Sequence, residues 1–189
     1  MWDSRGGNDQ RYRSRVNNAQ GHLFEQMVEK AAESYRLRHQ ADIRKIPEPF
    51  RTLRNIDRQK GLATVRFIGH AYPDYMGVLD GGRAIAFEAK YTSNNRIRRN
   101  VVTDTQAECL EYYYQLGGVA GVCCGIGLGY DIKYYFVPWE FWRDMNDILG
   151  RAYATQNDLK RFEVEHDMAI WFLNYKKDSG KRKSFRGDD

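Results

Sequence analysis

The chain has 189 residues, 42% of them hydrophobic and 14% aromatic, which suits one domain with a substantial core. No apolar run reaches the roughly 18 residues of a membrane span, and no apolar segment follows the charged N-terminus. A transmembrane protein and a secretory leader are therefore set aside, and a cytoplasmic protein is expected. The net charge is +5, and three irregularly placed cysteines and four scattered histidines argue against both a disulfide framework and a zinc site.

In chain order, residues 1–17 carry Arg11, Arg13 and Arg15 and are expected to form a disordered basic arm. From Asn18 to Arg38, Leu23, Phe24, Met27, Val28, Ala31, Ala32 and Tyr35 recur at intervals of three and four, the pattern of an amphipathic helix. QADIRKIPEPFRTL reads as a strand that ends at Pro47 and Pro49, because proline donates no hydrogen bond to a ladder. Residues 51–66 gather Arg51, Arg54, Arg58, Lys60 and Arg66. Their first part is a loop or protrusion, and LATVRFIG is a second strand. Residues 75–79 and 83–91 form a hairpin about a Gly-rich turn. A basic loop follows, SNNRIRRN, with Arg96, Arg98 and Arg99.

Thr103 opens a second helix, TDTQAECLEYYYQL, which Gly117-Gly118 ends. VAGVCCGIG is a buried strand with DIKYYFVP as its neighbour. GIGLG at 125–129 is a hairpin turn, since a strand and not a helix comes after it. Pro138 opens a short helix, WEFWRDMNDIL, and MAIWFLNY is a last strand. Residues 176–189 form a basic, disordered tail. The order predicts a single α/β domain over residues 18–175, a mixed β-sheet flanked by helices. Either basic tail alone reads as a solvated end, but the internal basic clusters point to a polyanion, most simply nucleic acid.

The hairpin PDYMGVLDGGRAIAFEAKY carries the chemistry. Ile85, Phe87 and Ala89 alternate with Ala86, Glu88 and Lys90, as on a half-buried strand. A three-residue turn, Asp80-Gly81-Gly82, sets Leu79 opposite Arg83 and Asp74 opposite Glu88, about 5 Å apart on one face. Lys90 points to that same face. Two carboxylates so close repel unless a positive charge lies between them. A hard divalent cation such as Mg2+ suits oxygen ligands and phosphate, and a neighbouring lysine can act on the attacking water. The plain rival is a solvent-facing strand on which Glu88 and Lys90 simply pair. Spacing alone favours that rival, while the basic loops and Pro73 shift the balance toward phosphodiester hydrolysis.

Pro73-Asp74 followed by Glu88-Ala89-Lys90 resembles the signature of the PD-(D/E)xK nucleases. More narrowly, the chain resembles RecU-type Holliday junction resolvases from about Gly21 to Pro138. The motifs are GHLFE at 21–25, IRKIPEP at 43–49, the hairpin through Thr92, TDTQ at 103–106, and LGGVAGV after the second helix. The resemblance implies a restriction-endonuclease-like fold and a homodimer that nicks two opposed strands of a four-way DNA junction. It implies Mg2+, with Mn2+ able to substitute, and no small-molecule cofactor. Asp74 and Glu88 would bind the metal with the Ala89 carbonyl, Lys90 would act on the water, and Glu25 and Gln106 would complete the catalytic set. Lys45 would contact phosphate or only cover an edge strand, and residues 51–66 would be a protruding stalk. Thr103 and Gln106 also form a Thr-x-x-Gln capping box, which explains both without catalysis. His70, Ala71 and Tyr72 before Pro73, and a short stalk, depart from the family pattern and bear on the substrate. Two alternatives stand beside the resolvase: a related nuclease acting on flaps, branched or linear duplex, and a junction-binding accessory protein that does not cut.

Overall fold

A computed structural model describes residues 5–57, 59–67, 72–176 and 182–184. The chain runs through α1 (Arg5–Leu37), β1 (Ala41–Lys45), β2 (Phe50–Asp57), β3 (Leu62–Phe67), β4 (Tyr75–Leu79) and β5 (Ala84–Thr92). β6 (Arg96–Arg98), α2 (Asp104–Gln115), β7 (Val119–Ile126), β8 (Lys133–Pro138), α3 (Trp139–Arg143) and α4 (Met145–Leu149) follow. The last elements are β9 (Tyr153–Thr155), β10 (Val164–His166), β11 (Ile170–Lys176) and β12 (Arg182–Ser184).

The central sheet is five-stranded and mixed, in the order β1-β4-β5-β7-β8. β5 and β7 run parallel, and every other pairing in it is antiparallel. A parallel pair needs a crossover, and α2 supplies it between β5 and β7. The apolar stripe of α1 lays Phe24, Met27, Val28, Ala31 and Tyr35 on one face of the sheet, where Ile170 and Phe172 of β11 join them against Ile85, Phe87 and Phe136. On the other face Leu110 of α2 and Trp139, Phe141 and Trp142 of α3 pack on Ala86, Val122, Cys124 and Val137. The expected mixed sheet flanked by helices is the architecture found.

Several boundaries differ from expectation. α1 starts at Arg5, so the backbone of residues 5–17, expected as a disordered arm, is helical. Extending a helix that tertiary packing has already nucleated costs little, and that segment contains no proline. Residues 51–57 are strand β2 rather than loop, paired antiparallel with β3 in a separate two-stranded sheet. The predicted strand is thus, over Leu62–Phe67, one arm of a separate exposed hairpin and not part of the core, while residues 68 and 69 lie outside the described residues. SNNRIRRN contains β6, which pairs with β9. Within the predicted disordered tail, Arg182–Ser184 pairs with β11, while residues 177–181 and 185–189 lie outside the described residues. The single helix expected after Pro138 is two, broken at Asp144, whose carboxylate accepts two 2.7 Å bonds from the Arg143 guanidinium.

The register of the β4–β5 hairpin is the predicted one. Tyr75 faces Phe87, Met76 faces Ala86 and Gly77 faces Ile85, so Asp74 comes opposite Glu88. The Leu79 N–H donates to the Arg83 carbonyl at 2.8 Å. β5 itself is not half-buried. Ile85 to Ala89 are all buried, because helices cover both faces of this central strand.

At Gly77, β4 packs tightly against β1. A methyl there would run into the Asp42 carbonyl oxygen and stand 2.7 Å from Ile43 Cα, both rigid backbone. Gly77→Ala is expected to cost about 2–3 kcal/mol, read as a lower urea midpoint at unchanged m-value. An unchanged midpoint would show that the β1–β4 pairing is not as close as described.

Candidate active site

Pro73 has no N–H, so the ladder between β4 and β5 cannot continue past it. Side chains take over. The Asp74 N–H donates to Glu88 Oε2 at 3.1 Å, and the Ala89 N–H donates to Asp74 Oδ2 at 3.0 Å. Each acid is therefore held by the other strand's backbone. On its far side Asp74 is tied to the sheet through its carbonyl, which accepts from the Ile46 N–H at 2.8 Å.

Glu88 is fully buried, and its carboxylate is met by donors on three sides. Lys90 Nζ lies 2.5 Å from Oε1, Gln106 Nε2 donates to Oε1 at 2.6 Å, and the Asp74 N–H takes Oε2. Even so, burial and then the charge of Asp74 outweigh the pull of Lys90, and the Glu88 carboxyl is pushed up to about 7. The solvent-facing strand that rivalled the site reading is not what forms.

Gln106 serves as cap and site contact together. Its Oε1 accepts from the Thr103 N–H and the Thr103 hydroxyl, both at 3.0 Å, closing the capping box at the start of α2. The other end of the same amide donates to Glu88. The helix cap thereby fixes the orientation of the group that grips the carboxylate.

Glu25 is placed differently. Lys45 Nζ lies 2.8 Å from Glu25 Oε2 and 3.4 Å from Glu29 Oε1, on the α1 side of the sheet. Partial burial would lower the Lys45 ammonium, but those two acids raise it. Among the described residues, no group of three or more His, Cys, Asp or Glu side chains is gathered closely enough to hold a metal. Sequence reading passed over Glu29. An acid four residues after Glu25 shares its helix face, and that spacing was the available signal.

The basic candidates divide by setting. Arg51 and Arg66 face each other directly across the β2–β3 hairpin, Arg54 is exposed beside them, and Lys60 lies 3.8 Å from Asp57. Arg58 lies outside the described residues, and for Arg11, Arg13 and Arg15 only the backbone is described. Arg96 and Arg98 are exposed on β6. The Arg99 guanidinium is engaged by the Arg143 carbonyl at 3.1 Å and its own carbonyl accepts from the Trp142 indole, which ties it into the fold.

The raised Glu88 carboxyl has a consequence for stability. A carboxyl whose folded pKa exceeds its unfolded value favours the folded state less as pH climbs between the two. Here that window runs from the ordinary 4.5 to about 7. In chelator, the melting temperature is expected to fall across this window, and Glu88→Gln, which never ionises, to flatten the fall. Parallel profiles for the two proteins would show that Glu88 is not the group responsible.

No curated protein matches the chain. Among solved structures, the Holliday junction resolvase Hjc of Archaeoglobus fulgidus is similar at 13% identity and a TM-score of 0.43, covering 77% of this chain and 91% of that one. The family model described as Recombination protein U matches residues 19–177. That span takes in the exposed hairpin, the Asp74–Glu88–Lys90 corner and the C-terminal strands through β11, and over it the chain belongs to the recombination protein U family.

Proposed function

We propose that the chain is a divalent-metal-dependent endonuclease that resolves four-way DNA junctions by paired, symmetric nicks. The observation that carries this reading is the buried Glu88 carboxylate, opposed by Asp74 and flanked by Lys90 and Gln106, in a chain of this family. Burying a charge is costly, and a purely structural strand would place an apolar side chain there.

The corner suits a hard cation. Its donors are carboxylate oxygens, and the high Glu88 pKa marks a local shortage of positive charge. Asp74 and Glu88, with the Ala89 carbonyl between their strands, would hold Mg2+, or Mn2+ in its place. When bound, the ion supplies positive charge to the scissile phosphate and acidifies the attacking water. Lys90 has 30% of its side chain exposed, so its ammonium can serve both the buried carboxylate and a group arriving from solvent. It would orient the attacking water and hydrogen-bond a non-bridging phosphate oxygen. Gln106 keeps Glu88 in one rotamer, and Glu25 contributes from α1 once DNA phosphate draws Lys45 away. Products would carry 5′-phosphate and 3′-hydroxyl ends.

The substrate reading rests on the hairpin. Like charges directly opposite across two strands destabilise a hairpin, so Arg51 facing Arg66 suggests that a polyanion answers them. Phe50, Leu53, Ile56, Leu62 and Phe67 are exposed on the same hairpin, suiting a stalk that enters a junction's opening. Two symmetric cuts need two sites, hence a homodimer.

The test is cleavage of an immobile four-way junction in Mg2+, beside a flap and a linear duplex of matching sequence. Paired nicks on the junction are expected, lost on adding chelator. Asp74→Asn should lower the rate by about 10³-fold and leave junction binding intact. Cutting of linear duplex or flap instead would overturn the substrate, and binding with no cutting in Mg2+ or Mn2+ would make the protein an accessory factor. Junction affinity should also drop steeply with salt. Sedimentation of only the 22.2 kDa chain at working concentration would overturn the dimer.

A further inference from the structure

Thr92 lies two residues beyond Lys90 on β5, on the same face and about 7 Å along the strand. Past it opens a cleft of about 590 Å³, lined by Thr92, Asn94, Asn95, Arg96, Arg98 and the partly apolar wall of Ile97 and Val101. No acid lines it. Thr92 Oγ1 accepts from both the backbone and side-chain N–H groups of Asn94, at 3.2 Å each, which folds the loop at the cleft's edge.

One wall is built by the β6–β9 pair. Ile97 is buried, so its neighbours Arg96 and Arg98 both turn outward. Tyr153 of β9 faces Arg98 in register and is diagonal to Arg96. The Arg96 guanidinium carbon lies 4.8 Å from the centre of the Tyr153 ring, and that of Arg151 lies 4.9 Å from it. The two arginines differ in one respect. Arg151 is neutralised by Asp158 at 2.5 Å, and Asp158 is in turn bonded to the Thr155 N–H and hydroxyl. Arg96 has no carboxylate within ion-pair distance among the described residues. A ring braced by one neutralised arginine thus presents a second arginine, with its charge unanswered, at the cleft.

Resting on the nuclease reading above, we propose that this cleft is a phosphodiester subsite for the DNA strand adjoining the scissile bond, with Arg96 as its charged donor and Tyr153 as the residue that positions Arg96. The planar guanidinium fork matches two phosphate oxygens, the asparagine amides add neutral donors, and stacking on an aromatic ring holds the fork in one plane. The cleft opens past Thr92, which shares a strand face with Lys90, so the subsite takes a phosphate near the one attacked.

The experiment is fluorescence anisotropy of the full chain in chelator, with a four-way junction and a linear duplex, over a salt series. Arg96→Gln is expected to weaken binding about 5–20-fold on both DNAs and to lower the slope of log affinity against log salt by about one. Tyr153→Leu is expected to weaken it about 3–10-fold, and Tyr153→Phe to match wild type. The double variant Arg96→Gln/Tyr153→Leu should bind no worse than Arg96→Gln alone, since the ring acts through the arginine. Wild-type affinity and slope for Arg96→Gln would overturn the subsite. Additive losses in the double variant would overturn the positioning role, and Arg96→Gln, a change at an exposed side chain, carries the test if Tyr153→Leu melts early. If the wild type neither prefers nor cuts junctions while Arg96→Gln still loses slope on duplex, the resolvase reading falls and the subsite stands.

Discussion

A carboxylate in the middle of a buried strand is the constraint from which the rest of this molecule follows. Glu88 has no access to water, so each of its oxygens must find a donor inside the protein. The donors come from three places: its own strand through Lys90, the neighbouring strand through the Asp74 peptide, and the crossover helix through Gln106. Their convergence requires the β4–β5 register, the parallel β5–β7 pair and the docking of α2 all at once. The sheet's apolar packing supplies the rigidity, and the polar corner specifies which arrangement of the elements is the right one.

What was legible in the sequence was local. The turn Asp80-Gly81-Gly82 sets the hairpin register by counting, and both glycines have the positive φ that a side chain would resist. Thr103 and Gln106 announce a helix start by their spacing, and α1 shows its buried stripe by period. What was not legible depended on partners far away in the chain. The alternation on β5 looks half-buried because Ala86 and Glu88 give no hint that α2 and α3 will cover their face. The three-residue strands β6 and β9 are too short to carry a pattern, and each exists only because the other is there.

The site was legible in part for the same reason. Asp74, Glu88 and Lys90 sit on one hairpin, so backbone geometry alone brings them together. Gln106 posed a choice between cap and site that the sequence could not decide, and its amide, having two ends, makes both contacts. Glu25 lies on an element whose rotation over the sheet is set by Phe24, Val28 and Tyr35, and there Lys45 meets it. Tyr153 carried no signal, because its importance lies in what stacks upon it.

The β2–β3 hairpin shares no strand with the central sheet. It can be lengthened, shortened or recomposed without altering any pairing that holds Asp74 against Glu88. Loop insertions of this kind carry only a slowly growing entropic cost. On the proposed reading, selection can therefore retune the stalk while the Asp74–Glu88 corner stays constant. The fold is modular in that sense: the hairpin and the carboxylate corner can diversify along separate stretches of one chain.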